Sequence, residues 1–364
     1  WMTEKDAAAF QKDIENDANL YCIIEDDENN IINQPPTKLK NPKIFRPFEM
    51  FVKMYGLPGY TEMDPTIFVA LTYSFIFGTM FGDVGQGLCL LIGGALFYHF
   101  KKAPLGAILS CAGIFSTIFG FLYGSFFGFE DTVIHSLWLH PKEAMTTLPM
   151  IGSLNTVFVV AGVFGMCMIL FTMILHIINA VRAHKVGEAI FDANGVAGLV
   201  FYGAIVLILV LMMTGHKTPA VAVTVVMFVI PLILIALKEP LCKLVEKEPD
   251  AFPKEKGMFA ITAFFELFDV LLTYFSNTIS FVRMGAFAVS HAAMMEVVLM
   301  LAGAANGGSP NWIVIVLGNV FVCGMEGLIV AIQVLRLEYY EMFSRFYKGD
   351  GREFKPFQKK QISE

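Results

Sequence analysis

Thr66 to Phe100 reads TIFVALTYSFIFGTMFGDVGQGLCLLIGGALFYHF, 35 residues in which Asp83 is the one Asp, Glu, Lys or Arg. As one helix it would run about 52 Å, against a hydrocarbon core of roughly 30 Å. The Gly82-Asp83 pair is therefore read as a break that divides the stretch into two spans. Outward from it, further apolar stretches lie at about 105–127, 152–181, 189–213 and 218–238, with two long ones at about 259–302 and 312–346. Each is bounded by glycine, proline or charge clusters that act as stop signals. The reading is an all-α integral membrane protein with eight transmembrane helices, the last two long and strongly tilted. At 44 residues the seventh would extend about 66 Å, twice the hydrocarbon thickness, so it must tilt or project.

Composition agrees. Apolar residues make up 56% of the 364 positions and charged ones 16%, where an average soluble domain carries about 25% charged residues. The net charge of −6 and the lack of a basic patch argue against a nucleic-acid partner. Cys22, Cys89, Cys111, Cys167, Cys242 and Cys323 lack CxxC spacing, which predicts free thiols. The chain opens on Trp1 with no secretory leader pattern, as a fragment would.

Residues 1–45, with the acidic run Glu25-Asp26-Asp27-Glu28, read as the end of a cytoplasmic soluble domain. Residues 46–65 lead into the membrane, 66–346 form the transmembrane domain, and 347–364 form a tail. Lys and Arg accumulate in cytoplasmic loops. Lys101 and Lys102, Arg182 and Lys185, Lys238 to Lys256, and Arg345 to Lys360 fall in every second loop or tail; the opposite side has Lys142 and Lys217. This predicts an even number of spans with both termini cytoplasmic. Glycines at 78 and 82, and at 120, 124 and 128, predict close helix approach.

Charged side chains inside a span are expensive and are functional hypotheses by default. At 100° per residue, Asp269 lies about 40° and Ser276 about 20° from Arg283, with Ser280 about 60° and His291 about 80° away. Asp269, fourteen residues off and about 21 Å along a straight helix, is too far to neutralise Arg283. Glu266 and Asp269 then sit toward the cytoplasm, Arg283 near the middle and His291 toward the far side. On the returning eighth span Glu326 lies in the outer half, with Gln333 seven residues on and Arg336 deeper. Two polar half-paths for protons or sodium ions emerge, one on each side of a pair of arginines. Asp83, at a predicted turn, and Asp192, near a helix start, are read as structural.

Several segments together resemble a known family. They are Pro36-Thr37-Lys38-Leu39-Lys40-Asn41-Pro42, Arg46-Pro47-Phe48-Glu49, Tyr55-Gly56-Leu57-Pro58, Asp64-Pro65-Thr66 and Met80 to Gly87. With them go Ser280-Phe281-Val282-Arg283 with His291, Met325-Glu326-Gly327 and Leu335-Arg336-Leu337. From about 35 to 358 the chain resembles the a or I subunit of rotary V-type and A-type ATPases, prokaryotic form. The resemblance implies a stator whose two long helices flank a rotor ring of carboxylate-bearing membrane subunits, joined to a peripheral stalk and soluble ATPase subunits in a cell membrane. It implies that Arg283 and Arg336 are the family's paired arginines and that Glu326 and His291 belong to the outer half-channel. Asp269 occupies the position of a cytoplasmic half-channel glutamate, while Gln333 and Asn277 stand where some members carry histidine. The family's large cytoplasmic N-terminal half is almost wholly absent from this chain.

No Walker motif GxxxxGK[ST] occurs, so ATP handling and catalysis are expected of other subunits, and no cofactor is expected. The alternative reading is a stand-alone secondary ion transporter or channel, which predicts internal repeats that are not evident here.

Overall fold

A computed structural model describes residues 2, 4–14, 23–24, 35–130, 134–138, 140–148, 152–216, 220–245, 256–303 and 310–355. Cys22, the acidic run at 25–28, Lys217, Lys247, Lys254 and the tail beyond 355 lie outside these residues. The described residues are 74% helical. A short helix α1 (Glu4–Ile14) is followed by a 3-10 turn (Arg46–Phe48) and α2 (Glu49–Tyr55) in the lead-in.

α3 (Thr66–Met80) starts where Asp64 Oδ1 accepts from the Thr66 amide at 2.9 Å and its hydroxyl at 2.5 Å. It stops at Phe81, and Asp83 caps α4 (Val84–Lys101) by accepting from the Gln86 amide at 2.9 Å. The break therefore falls at Gly82-Asp83. α5 (Pro104–Tyr123) opens on the proline favoured in a first turn and ends at Gly124, whose φ of 72 is the left-handed conformation glycine tolerates best. These three helices touch through backbone. A Cβ on Gly78 would sit 2.7 Å from Phe115 C, on Gly113 2.5 Å from Leu91 N, and on Gly120 2.3 Å from Val84 N.

Two antiparallel hairpins, β1 (Ser125–Phe126) with β2 (Phe129–Glu130) and β3 (Met145–Leu148) with β4 (Gly152–Asn155), cover the connection to α6 (Thr156–Arg182). α7 (Val186–Phe191) and α8 (Val196–Met213) follow, then α9 (Val221–Ala236), which meets α10 (Lys238–Val245) at a 73° bend. α11 (Lys256–Ser280) and α12 (Val282–Leu301) run on through a turn at Phe281. α13 (Trp312–Arg336) passes into a π-helix (Leu337–Phe343) and α14 (Ser344–Phe346).

Among the described residues, five helices are long and apolar enough to cross a membrane, or six if the bent α9–α10 pair is one span. They are α5, α6, the α7–α8 run, the 45-residue Gly257–Leu301 run and the 35-residue Trp312–Phe346 run. This departs from the expected eight. α3 has 15 residues, about 22 Å at 1.5 Å per residue. α4 is diluted by Gly85, Gln86, Gly87 and His99. Cys89, Cys111, Cys167, Cys242 and Cys323 are free thiols.

The core joins the lead-in to the end of the chain. Phe48, Phe51, Tyr73, Phe77, Leu337 and Phe343 are fully buried together. Thr37 N donates to Arg352 O at 2.8 Å and Gly351 N to Leu57 O at 2.8 Å, while Tyr55 stacks on Tyr347 with centroids 5.4 Å apart. The segment before α3 and the segment after α14 thus form one packed unit.

Candidate functional site

α12 and α13 lie antiparallel, as their polar pairs show. Arg283 Nη1 donates to Gln333 Oε1 at 3.2 Å, and His291 Nδ1 lies 2.8 Å from Glu326 Oε2. Asn319, Glu326 and Gln333 stand seven residues apart, two turns each, so they form one stripe along α13. His291 is 3% exposed and Glu326 4%, and the imidazole packs on the Phe81 ring with centroids 4.6 Å apart. His291 Nε2 and Glu326 Oε1 keep no hydrogen-bond partner within the described chain. A buried polar group left without a partner costs about 1–3 kcal/mol.

The stripe continues beyond the pair. Gln86 Nε2 donates to Asn319 Oδ1 at 2.9 Å and approaches Met295 Sδ at 3.1 Å. Gln86 is held there by Asp83, which is completely buried and accepts from four donors: Gln86 N, Ser125 Oγ at 2.7 Å, Phe127 N at 3.0 Å and Gly128 N at 3.0 Å. Asp83 ties α4 to the β1–β2 hairpin.

On the other side of the stripe the protein is open. Arg283 is half-buried and lines a concavity of about 420 Å³ with Phe275, Ser276, Ile279 and Ser280. Glu266, Asp269, Ser276 and Arg336 are exposed. Only 6% of the most apolar window of the Gly257–Leu301 run is buried, and Phe264, Phe265, Phe268, Leu272 and Phe275 face outward. A helix this apolar and this uncovered needs lipid or protein against it.

A second charged cluster sits behind Arg283. Glu341, on the π-helix, is 3% exposed, lies within electrostatic range of Arg283, Arg336 and Arg345, and adjoins Ser280. Arg345 donates through Nη1 to Asn194 Oδ1 at 3.1 Å and lies over the Tyr274 ring. Nearby, Asp192 is bridged to Lys238 at 2.7 Å and to His176 at 3.1 Å. Among the described residues no three His, Cys, Asp or Glu side chains gather as a metal cage.

The V-type ATPase 116kDa subunit family matches residues 1–158, which carry the lead-in and the Asp83 turn. The A-type ATP synthase subunit I of Saccharolobus solfataricus is 28% identical over 389 residues, covering 89% of this chain. That of Methanocaldococcus jannaschii is 28% identical over 392 residues, covering 98% of this chain. That of Pyrococcus horikoshii is 28% identical over 382 residues, covering 100% of this chain. The chain is similar to this family. It spans about half the length of these curated relatives, 54% of each.

The structure brings together six of the residues singled out in the sequence. Arg283 meets Gln333, Ser276 and Ser280, and His291 meets Glu326. Glu266 and Asp269 stand apart on exposed α11, Glu266 within electrostatic range of Lys238. Arg336 is exposed, with Arg283 and Glu341 in electrostatic range. The sequence reading missed Gln86, Asn319 and Glu341. Asn319 was findable by the seven-residue step back from Glu326. Glu341 was masked by its nearness to the basic tail, and its burial comes only from packing.

Proposed function

We propose that this chain is the stator of a rotary V/A-type ATPase membrane sector. In this reading it forms two ion half-paths against a rotor ring and couples proton or sodium transport to rotation and to ATP hydrolysis or synthesis elsewhere. The observation that carries it is the position of Arg283: a guanidinium at the uncovered edge of a helix bundle, facing an open concavity, with the buried His291–Glu326 pair behind it. A sealed ligand pocket would enclose its cation. This one is offered outward.

The chemistry follows from solvation. A rotor carboxyl in a low-dielectric setting favours its neutral or ion-occupied form, and an adjacent guanidinium, always charged, favours the bare carboxylate. Arg283 therefore discharges the rotor site and blocks a direct leak between half-paths. Each unit charge crossing is worth about 2.3 kcal/mol per 100 mV, which rotation delivers to the nucleotide sites of other subunits. His291 and Glu326, continued by Gln86 and Asn319, serve the outer half-path. Ser276, Ser280, Asp269 and Glu266 serve the cytoplasmic one, and Arg336 supplements the positive field, with Gln333 orienting Arg283. The apolar outer faces of α11 and α13 meet the rotor ring and lipid.

We also propose eight crossings with both ends cytoplasmic, the short α3 and α4 included. Pairing of the lead-in with the end of the chain, Thr37 with Arg352 and Leu57 with Gly351, supports an even number of crossings, since the two segments share one side. The basic loops support the orientation. The deciding experiment is ATP-driven ion uptake by vesicles holding the complete complex. Arg283→Ala is expected to abolish uptake while the complex still co-purifies. Near-normal uptake by that variant would sink the mechanism.

A further inference from the structure

The sequence leaves Arg283 without a counter-charge, because no carboxylate of its own helix is near enough. The fold supplies one from elsewhere. Glu341 arrives from the π-helix that follows α13, in which i to i+5 bonding widens each turn, an arrangement common at functional sites. The π-helix packs against α11, and Glu341 is buried there beside Ser280. The Ser280 hydroxyl donates to the Ser276 carbonyl at 3.0 Å, and Glu341 Oε2 has no hydrogen-bond partner among the described residues. Three cations lie within electrostatic range of this carboxylate, none in a direct ion pair with it among the described residues: Arg283 on α12, Arg336 at the end of α13 and Arg345 on α14. A lone charge at this depth would be costly, so its retention among arginines is a local balance.

Resting on the stator reading above, we propose that Glu341 is a positioning residue for ion exchange. It is the resident counter-ion of Arg283 and sets how strongly that guanidinium strips the passing rotor carboxyl. With Glu341 ionised, the field of Arg283 is shared between a fixed carboxylate and a transient one. The rotor carboxylate forms a pair with Arg283 that is weak enough to break, and it reloads as it moves on. Without Glu341 the full guanidinium charge falls on the rotor group, which then holds its ion less well. A single charge partner at close range moves a carboxyl affinity by roughly 10-fold or more.

The test uses the complete complex in vesicles, with ATP-driven uptake measured against the concentration of the transported ion, proton or sodium. Glu341→Gln keeps shape and hydrogen-bonding capacity and removes the charge. It is expected to raise the ion concentration for half-maximal uptake roughly 10-fold, and Glu341→Asp, which keeps the charge but sets it further back, is expected to raise it less, by severalfold. An unchanged half-saturation for Glu341→Gln overturns the proposal, whether or not the maximal rate falls, because a structural role alters assembly or maximal rate and leaves ion affinity in place. Failure of Glu341→Gln to assemble leaves Glu341→Asp to decide: its charge is set further back, and a half-saturation raised severalfold supports the proposal, while an unshifted one overturns it. Arg283→Ala in the same membranes separates the two readings. If Arg283→Ala is inactive and Glu341→Gln is unshifted, the stator mechanism stands and the counter-ion role falls.

Discussion

His291 Nδ1 lies 2.8 Å from Glu326 Oε2, an inter-helix contact sealed beneath Phe81. The pair joins α12 to α13 eight residues along from the point where Arg283 meets Gln333. It is both a structural clasp and the titratable couple of the proposed outer half-path.

Because each partner is buried, deleting one side is predicted to be costly. Removing one member of a buried pair typically destabilises by about 3–5 kcal/mol, so Glu326→Ala is expected to reduce complex recovery. Glu326→Gln retains the shape and is expected to assemble and to slow ATP-driven uptake by about 100-fold, the low end of a lost proton-transfer group. A His291→Gln, Glu326→Gln double variant is expected to be little worse than Glu326→Gln alone, since residues in one network are not additive. Unchanged uptake by Glu326→Gln would remove the pair from the path.

Arg283→Lys is predicted to rescue poorly. An ammonium lacks the planar fork that reaches Gln333 while facing outward, and unlike a guanidinium it can lose its proton when desolvated. Uptake below about a tenth of wild type is expected, with recovery at lower pH as the ammonium recharges. Full activity of the lysine variant at neutral pH would remove any need for guanidinium geometry.

Topology is tested by reagent access. In a cysteine-free background, Lys102→Cys after α4 and Glu143→Cys before β3 are expected to differ, an impermeant thiol reagent added outside intact cells labelling only the second. Labelling of Lys102→Cys from outside would refute the orientation.

Glu338 is completely buried and, among the described residues, neither carboxylate oxygen has a hydrogen-bond partner by geometry; the neighbouring Thr72 hydroxyl donates to Phe68 O at 2.8 Å. It lies within electrostatic range of Tyr73 and Tyr339. Replacing it by an apolar group of similar length removes a desolvation cost of about 1–3 kcal/mol. Glu338→Met is therefore expected to raise the melting temperature of the solubilised complex and to leave uptake intact. A drop in melting temperature would mean that the carboxyl has a partner in the assembled complex.

Gly113→Ala tests the α4–α5 contact. Its Cβ would meet Leu91 N at 2.5 Å, closer than packed atoms allow. A loss of about 1–3 kcal/mol, typical of overpacking, is expected as a lower melting temperature, with the exposed Gly93→Ala nearly silent because nothing lies within 4 Å of its Cβ.

Several features follow from the chain's own chemistry. An apolar run of 35 residues interrupted by Gly-Asp cannot remain one helix, so the break at Gly82-Asp83 was legible, as were the close glycine contacts and the free thiols. The facing of Arg283, Ser276 and Ser280 was legible because α11 and α12 form one continuous run with one period. The number of crossings was not, since a period says nothing about whether a 15-residue helix such as α3 passes through a bilayer. Nor could Glu341 be read as Arg283's neighbour, or Gln86 as Asn319's: these contacts join elements 58 and 233 residues apart, and a pattern within one helix carries no information about which other helix lies against it. Periodicity decides which face of a helix is polar. Only packing decides what that face meets, and the meeting sets whether a buried charge is neutralised, shared or left open to a partner.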